Sequence, residues 1–243
     1  MSIVVATTTQ YNSLQDARLI LAWKALMMIK EFGHKVVVVD GSPEDIRVAL
    51  REQSPDVLVL DRNEGMGASR RLAIYEACEL AGQDGVVVWM EPEKFPLIPF
   101  LGKITRPVLE GEAEIVVPSR ESLDSYPKAQ QDAERLGNRF FETLTGKALD
   151  MWFGVRVFSR EMAHFFLEYD GEYGDKWDSI FIPVLRAMSS SVEILSIEVN
   201  YFHPIEQTIA EEGDCAMIRK RIVQLFSLTD ALSLEWSTLQ LSK

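Results

Sequence analysis

The sequence predicts an α/β fold: a mostly parallel central sheet flanked by helices, with a helical elaboration at the C-terminal end. Two observations carry this. Short, continuous β-branched runs such as Val36-Val37-Val38-Val39 and Val86-Val87-Val88 lack the polar alternation of a strand with one wet face, and suit a sheet buried on both. Between these runs lie segments whose apolar residues recur at helical spacing, so the two periods alternate through residues 1–118.

The elements follow in order. Ile3-Val4-Val5-Ala6 reads as the first strand, and Leu14 to Phe32 as a helix that Gly33 closes as a C-cap. Lys35 to Asp40 is the second strand, and Gly41-Ser42-Pro43 turns the chain into a short helix through Leu50. Val57 to Leu60 is the third strand, followed by a helix from Ala68 to Leu80. Gly85 to Met90 is the fourth strand, Ile98 to Leu109 a helix, and Ala113 to Val117 the fifth strand. In the second half, Gln130 to Leu144 is a helix ended by Gly146, and Asp150 to Phe158 reads as one strand containing Gly154. Ile180 to Met188 is helical, Val192 to Val199 alternates as one half-buried strand, and Ala216 to Leu241 is helical again. With no repeat and no Gly/Ser linker, one continuous domain over 1–243 is expected.

Bulk properties narrow the function. The 243 residues are 47% hydrophobic and 26% charged, enough for a sizeable core. A formal net charge of -12 argues against nucleic acid, which needs a basic face. It leaves room for an anionic ligand, since a few local cations can reverse the field at one site. Cys78 and Cys215 form no C-x-x-C pair, so neither a zinc site nor a disulfide framework is expected. No basic flank precedes a long apolar run near Met1, and no stretch reaches the ~18 apolar residues that suggest a membrane span. A cytoplasmic protein is the expectation.

In a parallel sheet, ligands sit outside the strand C-termini, which directs attention to the polar residues there. Glu91-Pro92-Glu93 follows the fourth strand, where two carboxylates one residue apart suit a hard cation bridging to a diphosphate. The same tripeptide also suits an ordinary exposed loop. Asp40-Gly41-Ser42 pairs an acceptor for a nucleoside with a glycine that lets a ligand approach, or is simply an Asx turn. Gly65-Met66-Gly67 enters a helix and is compatible with phosphate binding, although Arg70 stands where a dinucleotide fingerprint has its third glycine. His34 and His164 read as structural or solvent-facing, and His203, after a strand, is the better ligand candidate.

Taken together, the order of these pieces resembles the family 2 type of GT-A glycosyltransferases over residues 2–205. The pieces are Thr9-Gln10-Tyr11-Asn12, VVVVDGSPED, NEGMGASRR, VVVWMEPE, Ser119-Arg120 and LTGKALDMWFGVRVF. The stretch from Ser119 to Phe158 looks like the polyprenyl-phosphate mannosyltransferase branch. The resemblance implies a GT-A (Rossmann-like) fold with a nucleotide-sugar-binding half at 1–118, an acceptor-side half at 119–205 and a helical tail at 206–243. It implies a metal-dependent transferase that moves a sugar from a UDP- or GDP-sugar to an unidentified acceptor. Thr9, Asn12, Asp40, Arg70 and Arg120 would contact nucleotide or sugar, with Asp40 and Arg120 lining one cleft. Glu91, Glu93 and His203 would hold Mg²⁺ or Mn²⁺, and Asp178 would act as base or orient the substrate. Two departures stand out: Val39 replaces the first Asp of the family's D-D-G-S, and Glu replaces both Asp of its D-x-D. They keep open a second reading, a catalytically degenerate GT-A homologue that binds nucleotide or sugar as a regulatory protein. The apolar residues of the last helix, with Arg219, Lys220 and Arg221 among them, suit peripheral membrane contact or a homo-oligomer interface.

Overall fold

A computed structural model describes residues 2–53, 58–61 and 64–241. Its strands are β1 (Ile3–Thr9), β2 (Lys35–Asp40), β3 (Leu58–Asp61), β4 (Val86–Trp89), β5 (Ile115–Val116), β6 (Ser119–Arg120), β7 (Arg156–Ser159), β8 (Ile194–Leu195) and β9 (Glu198–Val199). Seven of them form one sheet in the order β3-β2-β1-β4-β7-β5-β8, while β6 and β9 make a separate parallel pair. Within the large sheet only β7 runs antiparallel to its neighbours.

The β-branched runs explain why this sheet is the centre. Val37, Val39, Val87 and Trp89 point into one core, and Val36, Val38, Val86 and Val88 into the other, so both faces are covered. Burial of each such valine stabilises by roughly 1.5–3 kcal/mol relative to exposure. Helix α1 (Ala17–Glu31), capped by Asp16, fills one face, and α2 (Glu44–Gln53) follows β2. Helix α3 (Met66–Ala81) fills the opposite face with Ala73, Ile74 and Ala77. Gly33 lies at φ 73 just past α1, and its N–H donates to the Lys30 carbonyl, as the sequence predicts for that helix end.

Four segments differ from the sequence reading. The helix expected from Ile98 begins as a 3₁₀ segment at Pro92–Phe100 and becomes α4 only at Leu101–Leu109, because Pro96 and Pro99 cannot donate the α-helical hydrogen bonds. Asp150 to Phe158 is not one strand. Met151–Phe153 forms a 3₁₀ turn, Gly154 takes φ 78, and only then does β7 begin. The alternating run Val192 to Val199 divides into β8 and β9, which pair in different sheets. A short helix, α8 (Ile205–Glu211), precedes the last helix and was not expected. Val57 of the third strand lies outside the described residues.

Helix α5 (Lys128–Thr145) ends at Gly146 in the left-handed conformation, as expected. Short α6 (His164–Leu167) and α7 (Ile182–Ser189) complete the middle of the chain. The last helix, α9 (Cys215–Leu241), packs its second half on α5 and α7 through Leu228, Ala231 and Leu232. Buried Glu235 accepts from Arg186 Nε at 2.6 Å and from the Tyr173 hydroxyl at 2.9 Å, which fixes this packing. Among the described residues no helix is long and apolar enough to cross a membrane.

Candidate functional site

The C-terminal ends of β1, β2 and β4 open at one edge of the sheet, where antiparallel β7 begins. A cavity of about 670 Å³ lies at this edge, within the usual size of a small-molecule site. Its floor comes from Thr9, the last residue of β1, and from Gly41, Glu91 and Glu93 just beyond β2 and β4. Its far wall comes from α8 and the first half of α9, through Gln207, Glu211, Met217, Lys220, Arg221 and Gln224. Lys220 and Arg221 thus face the cavity, and Arg221 also bonds Gln130 at 2.8 Å and Glu211 at 3.3 Å. Arg221 is thus half-buried and paired at the site, while Lys220 borders the cavity and stays exposed.

Of the residues the sequence singles out, Thr9, Arg70, Glu91, Glu93 and His203 line the cavity. Asn12, Asp40, Arg120 and Asp178 do not, and each has a local reason. Asn12 is exposed on the loop after β1. Asp40 is fully buried and accepts from the Thr9 hydroxyl at 2.6 Å, the Ser42 hydroxyl at 2.7 Å and the Ser42 N–H at 3.1 Å. It ties the loops after β1 and β2 together and leaves Gly41 as the surface a ligand would meet. Arg120 makes a two-pronged contact with Asp150, both arms at 2.7 Å, and its third nitrogen is 2.5 Å from Glu134. The rings of Tyr126 and Phe153 flank its guanidinium at 4.9 and 4.8 Å. Asp178 accepts from the Tyr169 hydroxyl at 2.5 Å and from the backbone of Asp175 and Lys176. The expectation that Arg120 and Asp40 line one cleft is not met; both are internal struts.

The glycine-rich entrance to α3 also has a packing reason. A Cβ on Gly67 would lie 1.8 Å from the Asp175 carboxylate, and the Gly67 N–H donates to the Asp175 carbonyl at 2.9 Å. Arg71 then clasps the same carboxylate at 2.6 and 2.9 Å. The loop carrying Asp175 therefore covers part of this helix start, while Gly65, Ser69 and Arg70 still reach the cavity. Arg70 is only partly free for a ligand, because it donates to the Lys176 carbonyl at 2.6 Å and to Ser179 at 3.0 Å. Asn63, in the same motif, lies outside the described residues.

The carboxylates after β4 have different surroundings. Burial would raise the Glu91 carboxyl, but Lys94 and Arg70 outweigh it and hold the group below the ordinary range. Burial raises Glu93, and the neighbouring Glu91 charge adds to that. Lys94, missed in the sequence reading, donates to Glu91 Oε2 at 2.5 Å. His203 is pushed down to about 3 by burial and by the cations Lys94, Arg221 and Arg120. Its ring stacks on Tyr126 with centroids 4.2 Å apart.

These surroundings do not fit a divalent ion held by Glu91, Glu93 and His203. Glu91 already carries an ammonium, and a divalent ion within about 4 Å of that charge is repelled by several kcal/mol at intermediate dielectric. Among the described residues no group of three or more His, Cys, Asp or Glu side chains is placed to hold a metal ion. What the cavity offers instead is unsatisfied hydrogen-bonding capacity. Tyr11 Oη, Tyr201 Oη, both His203 ring nitrogens, Gln207 Oε1, Arg70 Nε and Arg221 Nε are buried without a hydrogen-bond partner among the described residues, and all belong to residues that line it. Polar groups buried in this way point to a ligand or ordered water.

Sheet order, strand directions and site position together define a GT-A fold, and comparison with solved structures bears this out. The chain is similar to glucosyl-3-phosphoglycerate synthase from Mycobacterium tuberculosis, crystallised with Mn²⁺, UDP and glucosyl-3-phosphoglycerate. The TM-score is 0.57 at 14% identity, covering 93% of this chain and 79% of that one. It is also similar to a 4-diphosphocytidyl-2C-methyl-D-erythritol synthase, with a TM-score of 0.54 at 12% identity over 86% of this chain and 96% of that one. Staphylococcus aureus TarS matches with a TM-score of 0.51 at 15% identity, covering 100% of this chain and 72% of that one. No family model matches the sequence. No curated protein matches it either.

Proposed function

We propose that the chain transfers a glycosyl group from a nucleoside-diphosphate sugar to an unidentified acceptor. The observation that carries this reading is the cavity at the strand C-termini. It has glycine backbone at the nucleotide side, cations on facing walls and unsatisfied donors between them. The mycobacterial synthase, similar in fold, is known with UDP and a glucosylated product, which supports the class of ligand. In the transfer, the bond from the anomeric carbon to the diphosphate breaks and its electron pair leaves with the diphosphate oxygen. The acceptor oxygen forms the new bond, and the proton it carries passes to solvent water. The chemical need is therefore a positive field where the leaving charge develops, and Lys94 and Arg70 both line that part of the cavity. No step in this reading passes through a metal ion. The narrower likeness to polyprenyl-phosphate mannosyltransferases rests on motif order, and the sealed Arg120 withdraws one of the contacts it implied.

A thermal-shift screen of UDP-, GDP-, ADP- and CDP-sugars tests the reading. One nucleotide should stabilise the protein, by about 2.7 kcal/mol at a hundredfold excess over its dissociation constant. No shift with any of the four would sink it. A second reading, a homologue that binds nucleotide sugar without transferring it, draws on the same Glu91–Lys94 contact. Release of free nucleoside diphosphate over time, with or without an added acceptor, separates the two: its absence despite tight binding selects the non-catalytic one.

A further inference from the structure

Taking a nucleoside-diphosphate sugar as the ligand, as proposed above, we infer that the Lys94 ammonium receives the diphosphate in the place where a divalent ion would bridge it to Glu91. Three features of the chain build this arrangement. Glu91 precedes the 3₁₀ segment Pro92–Phe100, and the Lys94 N–H closes the first turn onto the Glu91 carbonyl at 3.0 Å. That turn returns the Lys94 side chain over the Glu91 carboxylate, with Nζ 2.5 Å from Oε2. On the other side, Gly154 turns the chain at φ 78 and sets its backbone beside the same carboxylate, where even an added Cβ would make only ordinary contact with Glu91 Oε2 at 3.4 Å.

Lys94 is thus held by one carboxylate while both residues line the cavity. An ammonium has three donors, and Glu91 is the one hydrogen-bond acceptor the described residues give it. Phe153 stands 5.8 Å from Nζ and supplies a wall without a competing acceptor. Arg70 lines the same cavity, so a diphosphate beside Lys94 also meets a second cation. Carboxylate, cation and diphosphate then stand in the order of a metal-bridged site, with a fixed single charge at the centre. Because the ammonium is tethered, no free ion has to be bound before the nucleotide.

The test compares nucleotide binding with a chelator and with Mn²⁺, using UDP, GDP, ADP and CDP in isothermal titration calorimetry. The wild-type chain should bind the same nucleoside diphosphate in EDTA and in Mn²⁺, with affinities within about threefold. Lys94→Met should weaken binding in EDTA by about tenfold or more, the scale of a lost charge-assisted contact, and Lys94→Arg should keep most of it. Binding by the wild type only when Mn²⁺ is present would overturn the inference and leave the glycosyltransferase reading standing. A Lys94→Met chain that binds in EDTA as tightly as wild type would overturn it too. Binding in neither condition would remove the nucleotide reading and this inference with it. The wild-type comparison needs no variant, so it decides the matter even where Lys94→Met fails to fold.

Discussion

Arg120 and Lys94 are two cations that meet carboxylates beside the same cavity, and they differ in what is left open. Arg120 has three nitrogens on Asp150 and Glu134, a ring on each side and a side chain 1% exposed. Lys94 has one carboxylate and a side chain 18% exposed toward the cavity. The first is a closed unit in which every guanidinium nitrogen is taken, and its work is to hold α5, β6 and the turn before β7 together. The second is half of a unit. An ion pair tells little about function by its presence; what remains uncompensated around it tells more.

The largest test of that contrast is Arg120→Met, which strands Asp150 and Glu134 as buried carboxylates without their cation. A loss of about 3–5 kcal/mol in urea unfolding is expected, the range for breaking a buried pair. A loss under about 1 kcal/mol, with nucleotide binding weakened instead, would show that Arg120 serves the ligand. A smaller effect comes from His203, which lies in the field of both cations. Its folded value, about 3, is below the unfolded one near 6.5. The unfolded chain therefore binds the proton first, and stability is present above pH 6.5 and falls progressively as the pH drops toward 3. About 2 kcal/mol should be lost between pH 7 and pH 5. His203→Phe keeps a ring against Tyr126 and should lose about that much less over the same interval, as read from urea midpoints. An unchanged pH dependence in the variant would place the titrating group elsewhere. The smallest effect belongs to Asn12→Ala. With no place in the cavity lining, it should change stability by no more than about 0.5 kcal/mol and leave nucleotide affinity as it was. A clear loss of affinity would return the loop after β1 to the site.

Much of the fold was legible because one physical signal governed each element. Val36 to Val39 is apolar and β-branched with a turn on each side, and β2 spans Lys35–Asp40. The run Val192 to Val199 was misread because alternation records only which side chains face inward. It is the same whether the strand stays in one sheet or passes between two. Asp150 to Phe158 was misread because Gly154 was taken as a tolerated strand glycine, whereas it closes a turn at φ 78. In the site, the rule about strand ends located Glu91 and Glu93 beside the cavity. It could not separate Arg120 and Asp40 from ligand contacts, because their partners are Asp150, thirty residues after Arg120, and Thr9, thirty-one before Asp40. Lys94 did leave a signal: a lysine three residues after Glu91, across a turn opened by Pro92. The sequence reading gave its weight to the carboxylates and passed over the cation that follows them.

The wall supplied by α9 has a consequence for the order in which the protein becomes competent. A nascent chain emerges from its N-terminal end and folds region by region. The residues of the cavity floor, and every strand of the large sheet except β8, are available by the time β7 has been made. Met217, Lys220, Arg221 and Gln224 arrive more than fifty residues after β7 ends, and without them the far wall of the cavity is incomplete. Stabilisation by a small molecule that spans both walls is thus withheld from the growing chain and becomes available only once α9 has docked. Ligand capture would then mark a chain in which α9 has docked.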